Sequence, residues 1–406
     1  METFNPEKAI WSVTREFGEH GGVAPSISRS STFTVIEPGT MPEIFEGIKS
    51  AHKDGCFLYS RHFNPTVDVL SRSLAALENT EAAICTASGM SAISTALMQI
   101  CKTGDHIVAS STVYGGTHAL LEHVLPDMGI STTFVDPSDT AAFEKAITPK
   151  TKVLYTETIA NPTLKVSDIR SLSKIANANN IQLVVDNTFS PMLITPANLG
   201  AHVVIHSLTK YINGASDVIA GVVCGSNEFI MELMDLHHGR VMLFGPTMDA
   251  RVAFDVLQRL PHLAIRMKEH SKRALAITNR LQELQLKVNY PGLKSYPQYD
   301  LFKSMINEGY GHGAIFSLDC QTTKKANELM SVLQNQERFG FIAVSLGYFD
   351  TLMSCSGSST SSEISDDDQK TMGLSPGLLR ISIGFTGCLD SRLEQLERAV
   401  KQVGII

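Results

Sequence analysis

Lys210 follows the short apolar run Val203-Val204-Ile205, stands just behind two hydroxyls, Ser207 and Thr209, and precedes Gly214 and Gly221. A lysine that forms a Schiff base must lose its proton, which proteins arrange by desolvation or by a nearby cation. Hydroxyls before it and glycines after it suit a phosphate. The same residues also fit a strand-end lysine among ordinary Ser/Thr turn residues, so the motif needs partners. One lies upstream: Ile181-Gln182-Leu183-Val184-Val185-Asp186 is an apolar run ending in an acid. The run suits a parallel strand buried on both faces, and its carboxyl end is where α/β folds bind ligands. The alternative for Asp186 is a helix N-cap.

A third group would hold an anion. Met90, Ile93, Leu97 and Ile100 recur at helical intervals, which predicts a helix opening on Ser88-Gly89. Free N–H groups and the positive dipole end of such a helix bind anions, and Gly89 lets a phosphate come close to the backbone. Alone, Ser-Gly is an ordinary cap. Beside Ser207, Thr209 and Lys210 it becomes half of a phosphate cup. Amine, acid and phosphate cup together describe a site for pyridoxal phosphate (PLP). In that chemistry a carboxylate keeps the pyridine nitrogen protonated, so that the ring can draw electrons.

These groups need a scaffold that brings strand ends together. From about 63 to 260 apolar runs alternate with helical periods, the pattern of a mostly parallel sheet. Strands are predicted at 107–110, 132–136, 153–156 and 184–186. Leu260-Pro261-His262-Leu263 predicts a break before a helix over 264–286. Residues 261–406, with strands at 313–318 and 379–383, read as a smaller α+β domain, and 1–62 as an arm. The serine-rich stretch 354–368 reads as a solvated loop. Residues 82–101 carry no charge, but their Ser, Thr and Gly content fits the phosphate helix better than a membrane span.

Composition limits the function classes. A chain of 406 residues with 43% hydrophobic and 18% charged residues is an ordinary globular protein. A net charge of −7 and the lack of basic runs argue against nucleic acid. Seven scattered cysteines do not make a disulfide framework, which points to a reducing cytoplasm. The first residues have neither basic start nor apolar stretch, so no signal peptide is expected. Gly309-Tyr310-Gly311-His312-Gly313 lacks the context of a dinucleotide loop. His118, Glu122 and His123 do not have zincin spacing, and His237-His238 lacks partners at metal spacing. No metal is expected.

With these motifs the chain resembles the cysteine/methionine-metabolism family of PLP enzymes. The resemblance runs almost end to end: Tyr59-Ser60-Arg61, Asn64-Pro65-Thr66, Ser88-Gly89-Met90, Tyr114-Gly115-Gly116-Thr117, Asn161-Pro162-Thr163, Asp186-Asn187-Thr188, Ser207-Leu208-Thr209-Lys210, Ser345-Leu346-Gly347 and Leu379-Arg380-Ile381-Ser382-Ile383-Gly384. Residues 59–66 and 354–363 are most similar to the methionine γ-lyase branch, above all its plant-type members. The resemblance implies the PLP-dependent transferase fold (fold type I), an α/β architecture. It also implies an arm that reaches a neighbouring subunit, and a homotetramer built as a dimer of dimers. Lys210 would carry PLP and move protons, Asp186 would hold the ring nitrogen, and Tyr114 would stack on the ring and assist departure of the γ-substituent. Ser88, Gly89, Met90, Ser207 and Thr209 would hold the phosphate, with Tyr59 and Arg61 arriving from the neighbour. Asn161 would support the cofactor's ring oxygen. Arg380 would clamp the substrate carboxylate, helped by Ser345 and Tyr59. The serine-rich stretch would face the substrate.

The resemblance also bears on substrate. Cystathionine-cleaving relatives carry acids just before the Tyr-x-Arg and Ser-Leu-Gly motifs and an arginine after the Tyr-Gly-Gly turn. Leu58, Val344 and Ala119 stand at those places here. Three apolar residues fit the methylthio end of methionine, and also fit plain packing. The expected reaction is α,γ-elimination of L-methionine to 2-oxobutanoate, ammonia and methanethiol. Cystathionine γ-lyase or γ-synthase and O-acetylhomoserine sulfhydrylase chemistry are the alternatives within the family. A PLP-binding regulatory protein without turnover is the alternative outside it. Three departures from the family pattern favour the plant type: Gly116 where bacterial lyases carry cysteine, 354–359 in place of a histidine-containing stretch, and 258–263 in place of Arg-Gly-Leu-Lys-Thr-Leu.

Overall fold

The computed structural model describes residues 4–13, 18–46, 48–53, 55–355 and 375–405. Seven strands form the larger sheet: β1 (Ala82–Thr86), β2 (His106–Ser110), β3 (Ser131–Val135), β4 (Thr151–Glu157), β5 (Gln182–Asp186), β6 (Val203–Ser207) and β7 (Gly221–Gly225). They lie in the order β1-β7-β6-β5-β4-β2-β3. The pairs from β3 through β6 are parallel, while β7 runs antiparallel to both its neighbours. This is the mostly parallel α/β sheet expected from the alternating pattern.

Side-chain alternation along these strands feeds two apolar clusters. Leu154, Leu183, Val185 and Val204 enter the larger one. Val153, Tyr155, Val184, Val203 and Ile205 enter the other. Because successive side chains point to opposite faces, Glu157, Asp186 and Ser207 continue the rows of the second cluster. His206 continues the row of the first and meets Glu78 of helix Pro65–Glu78, with Nε2 2.6 Å from Oε1. One face of the strand ends thus carries the polar groups, and the other is sealed by a buried pair.

Several boundaries differ from the sequence reading. The uncharged stretch 82–101 is not all helix: Ala82–Thr86 is β1, and the helix runs Gly89–Ile100. Ser88 caps it, its hydroxyl accepting from Ser91 N at 3.0 Å, while Ser91 Oγ accepts from Ser88 N at 3.0 Å. The predicted break at 260–263 is a single 3₁₀ turn, Leu260–His262, leading into helix Leu263–Glu283. Pro261 is accommodated there because a helix's first turn does not use its N–H. The N-terminal stretch contains helix Pro6–Val13, whose Ile10 joins the larger cluster.

A second sheet follows, in the order β10-β11-β12-β9-β8. Its strands are β8 (Val288–Asn289), β9 (Ile315–Asp319), β10 (Phe341–Ile342), β11 (Leu352–Cys355) and β12 (Leu378–Ser382). Two of its segments serve the site: the loop from Ala343 to Gly347, and β12, which carries Arg380. Of the serine-rich stretch 354–368, residues 356–368 lie outside the described residues.

Candidate active site

The carboxyl ends of β4, β5 and β6 open into a cavity of about 410 Å³, within the usual range for small-ligand sites. It is lined by Ser88, Gly89, Met90, Tyr114, Asn161, Asp186, Ser207, Thr209, Lys210, Ser345 and Arg380. Eleven of the thirteen residues singled out from sequence therefore converge, although 292 positions separate Ser88 from Arg380.

Lys210 follows β6 directly, and its Nζ donates to Ser345 Oγ at 2.9 Å. Burial, with help from the Arg380 cation, brings its ammonium down to about 8. The loop bearing Ser345 is pressed onto the lysine backbone. A Cβ on Gly347 (φ +77) would stand 2.6 Å from Tyr211 N and 2.9 Å from Lys210 C, so this approach requires glycine. Ser345 itself has φ 94, a costly conformation outside glycine.

Arg380 is buried; Nη1 donates to Asn161 Oδ1 at 3.0 Å and Nη2 to Ser345 O at 2.9 Å. Its Nε is buried and has no partner among the described residues. Desolvation lowers even this guanidinium, to about 10. A buried cation with an unused donor lining a cavity is suited to an incoming carboxylate.

Asp186 ends β5, where Oδ1 accepts from Thr188 N at 2.9 Å. Burial raises its carboxyl, partly offset by the hydrogen bonds from Thr188 and the nearby His206. Thr188 Oγ1 in turn accepts from Ser207 N at 2.8 Å, joining the ends of β5 and β6. Close packing shapes the anion cup: a Cβ on Gly89 would meet Ser207 Cβ at 2.7 Å, and one on Gly221 would meet Ser88 O at 2.2 Å. Both positions exclude side chains and bring the helix N-terminus against the strand end. The first-turn N–H groups of Gly89 and Met90 have no intrahelical acceptor, as at any helix start.

An amine whose proton is loosened by burial, a buried carboxylate, a helix N-terminus flanked by hydroxyls and a cation with a spare donor fit an aldehyde-bearing aromatic phosphate and an amino acid. The Cys/Met metabolism PLP-dependent enzyme family matches residues 8–401. The chain belongs to this family. Among its relatives, methionine gamma-lyase of Arabidopsis thaliana is 54% identical over 397 residues, covering 97% of this chain and 90% of that one. The crystal structure of cystathionine gamma-lyase from Lactobacillus plantarum complexed with L-serine superposes with a TM-score of 0.86 at 30% identity, covering 99% of this chain and 100% of that one. A putative O-acetylhomoserine (thiol)-lyase from Campylobacter jejuni gives 0.88 at 26% identity, covering 98% and 100%, and contains N'-pyridoxyl-lysine-5'-monophosphate. The fold is therefore that of PLP-dependent trans-sulfuration enzymes, PLP is the cofactor, and the chain is a PLP-dependent lyase.

Other residues singled out from the sequence do not line this chain's own cavity, as expected for Tyr59 and Arg61 if they serve a neighbour. Tyr59 and Arg61 lie away from it: Arg61 Nη1 donates to Met242 O at 2.9 Å, and its guanidinium sits 5.5 Å from the Tyr59 ring centroid. Of the apolar trio only Val344 lines the cavity. Leu58 is buried, with its carbonyl accepting from Phe33 N, and Ala119 ends the short helix after Tyr114. Tyr114 lines the cavity and is 46% exposed rather than buried as a packing residue would be. Sequence reasoning missed Glu157, Thr188 and Ile219, all of which line the cavity. Glu157 was within reach, because it ends an apolar strand in an acid just as Asp186 does. Ile219 gave no signal, lying in a loop between glycines.

Proposed function

We propose that this enzyme carries out α,γ-elimination of L-methionine, with water consumed and 2-oxobutanoate, ammonia and methanethiol released. The observation that carries the reading is the 54% identity to a methionine gamma-lyase over nearly the whole chain. The cavity supports it. The charged residues among its lining are Glu157, Asp186, Lys210 and Arg380, while Val344 and Ile219 are its exposed apolar members. The buried Nε–H of Arg380, without a partner among the described residues, suits the α-carboxylate. An apolar wall suits a methylthio group better than the second ammonium and carboxylate of cystathionine, whose burial without partners costs several kcal/mol.

Bound PLP supplies the sink for the electron pair left when a Cα–H bond breaks. Lys210 Nζ is the proposed base that removes that proton and returns protons later, and its lowered pKa suits work near neutral pH. Asp186 would hold the pyridine nitrogen, and Ser88, Gly89, Met90, Ser207 and Thr209 would hold the phosphate. Asn161 orients Arg380 and would support the cofactor's ring oxygen. Tyr114, in the cavity lining, would cover the ring and assist departure of the thiolate. Ser345 holds Nζ in place.

Tyr59 and Arg61, outside their own chain's cavity, are proposed to complete a neighbour's phosphate site in a homotetramer assembled as a dimer of dimers. Residues 1–62 would then be an arm, 63–260 the cofactor domain and 261–406 the small domain. Seven free thiols, five of them buried, support a cytoplasmic location.

The test is an end-point assay of 2-oxobutanoate and methanethiol from methionine, homocysteine, cystathionine, and O-acetylhomoserine with sulfide. Methionine is expected to give both products with the highest kcat/KM. A higher value for cystathionine would assign the chain to the cystathionine lyases. Mixing Lys210→Ala and Arg61→Ala chains tests the shared site, since hybrid dimers would regain one complete site. No recovery after demonstrated subunit exchange would remove Arg61 from the neighbour's site.

A further inference from the structure

Glu157 lines the cavity beside Asp186 and has no role in the chemistry above. The two carboxyls are paired in register, Glu157 on β4 opposite Asp186 on β5, and therefore project on the same side of the sheet. Glu157 is 6% exposed. Burial and the neighbouring Asp186 raise its carboxyl well above the usual range, opposed by two backbone N–H groups. Two acids side by side out of water are costly, so the arrangement calls for a compensating contact.

Both oxygens are engaged. Oε1 accepts from Tyr114 N at 2.6 Å and Oε2 from Asn161 N at 3.1 Å. These two backbone groups belong to separate segments that both line the cavity, one after β2 and one after β4. Asn161 Oδ1 accepts from Arg380 Nη1 at 3.0 Å, so the second contact extends to the proposed carboxylate clamp. Two converging N–H donors need two acceptors at one side-chain tip. A carboxyl provides them, whereas an amide of equal length provides one and turns its NH₂ toward the other donor. An aspartate has both oxygens but is one methylene shorter.

We infer that Glu157 is a positioning residue that ties the Tyr114 loop to the Asn161–Arg380 arm and thereby sets the spacing between the ring-covering tyrosine and the carboxylate clamp. The inference rests on the roles proposed above for Tyr114 and Arg380. Two consequences separate it from a purely structural carboxyl: cofactor retention depends on Glu157 through Tyr114, and substrate affinity depends on it through Asn161.

The test uses Glu157→Gln as holoenzyme, with Glu157→Asp as second variant should the amide not fold. Cofactor retained on dilution is followed by the visible absorbance of bound PLP, and kcat and KM are measured with methionine. At least tenfold weaker retention, together with at least a tenfold rise in KM and kcat within about threefold, is expected. In an Asn161→Ala background the added effect of Glu157→Gln on KM should shrink to less than threefold, because the route to Arg380 is already cut. Retention and KM within twofold of the unaltered enzyme would overturn the inference. So would a collapse of kcat with retention and KM unchanged, which would make Glu157 a proton-transfer group instead. The retention assay needs no substrate, so it is readable even if methionine proves the wrong one.

Discussion

The floor of the cavity and its outer wall are built in different ways. The floor is made of strand ends, with Asp186, Ser207 and Lys210 held through backbone-anchored bonds such as Thr188 N to Asp186 Oδ1 and Ser207 N to Thr188 Oγ1. The wall comes from the second sheet. Ser345 sits on a loop with φ 94 that is pressed onto the Lys210 backbone at Gly347, and Arg380 reaches over from β12. The floor is fixed by sheet register, whereas the wall depends on two elements docking correctly. A rigid floor suits a resident cofactor, and a docked wall suits a substrate that must enter and leave.

Removing Lys210 should break the floor most severely. Lys210→Ala is expected to lower turnover by about 10⁴-fold, the upper range for a lost general base. Its melting temperature should not fall, because a buried ammonium leaves the fold. Turnover above a hundredth of normal would transfer the proton role elsewhere. On the wall, Arg380→Leu should reduce kcat/KM by about 2–5 kcal/mol, the usual cost of truncating one partner of a buried charged contact. The loss should appear mainly in KM. A loss confined to kcat would abolish the division between floor and wall.

Ser345 joins the two regions and should respond with opposite signs. Ser345→Gly removes the hydroxyl that holds Nζ, with about a tenfold loss of activity from one hydrogen bond. It also relieves a left-handed backbone worth about 1–2 kcal/mol, so melting temperature should rise. Ser345→Ala should show the activity loss without the gain in stability. Equal melting temperatures for the two variants would show that the loop carries no strain.

The smallest effect is in pH. Cofactor attachment requires unprotonated Lys210, so its rate on cofactor-free enzyme should rise with pH through about 8. Arg380→Leu removes the second cause of the lowered value, so the midpoint should move upward while burial still holds it below 10.5. In the cofactor-free protein the lysine loses its proton before the unfolded chain does. Its contribution to stability therefore improves as pH climbs from about 8 toward 10.5. A midpoint unmoved in Arg380→Leu would leave desolvation as the sole cause.

The sequence by itself determined the floor. Runs of apolar residues ending in Asp186 or in Ser207-Leu208-Thr209-Lys210 are local patterns, and a parallel sheet aligns their carboxyl ends wherever such strands pair. The Ser88–Gly89 helix start was equally local. Strand β1 was less legible, because an uncharged stretch of small residues fits helix and strand alike until β7 pairs with it. Only the tertiary structure decided the rest. It brought Arg380 to Asn161 across 219 positions and set Ser345 against Lys210 across 135, distances over which no periodicity carries information. It gave Glu157 two donors from separate loops, and left Tyr59, Arg61, Leu58 and Ala119 outside the cavity. Local patterns specify which face of an element is buried, but the docking of one sheet against another is set by the packing of both.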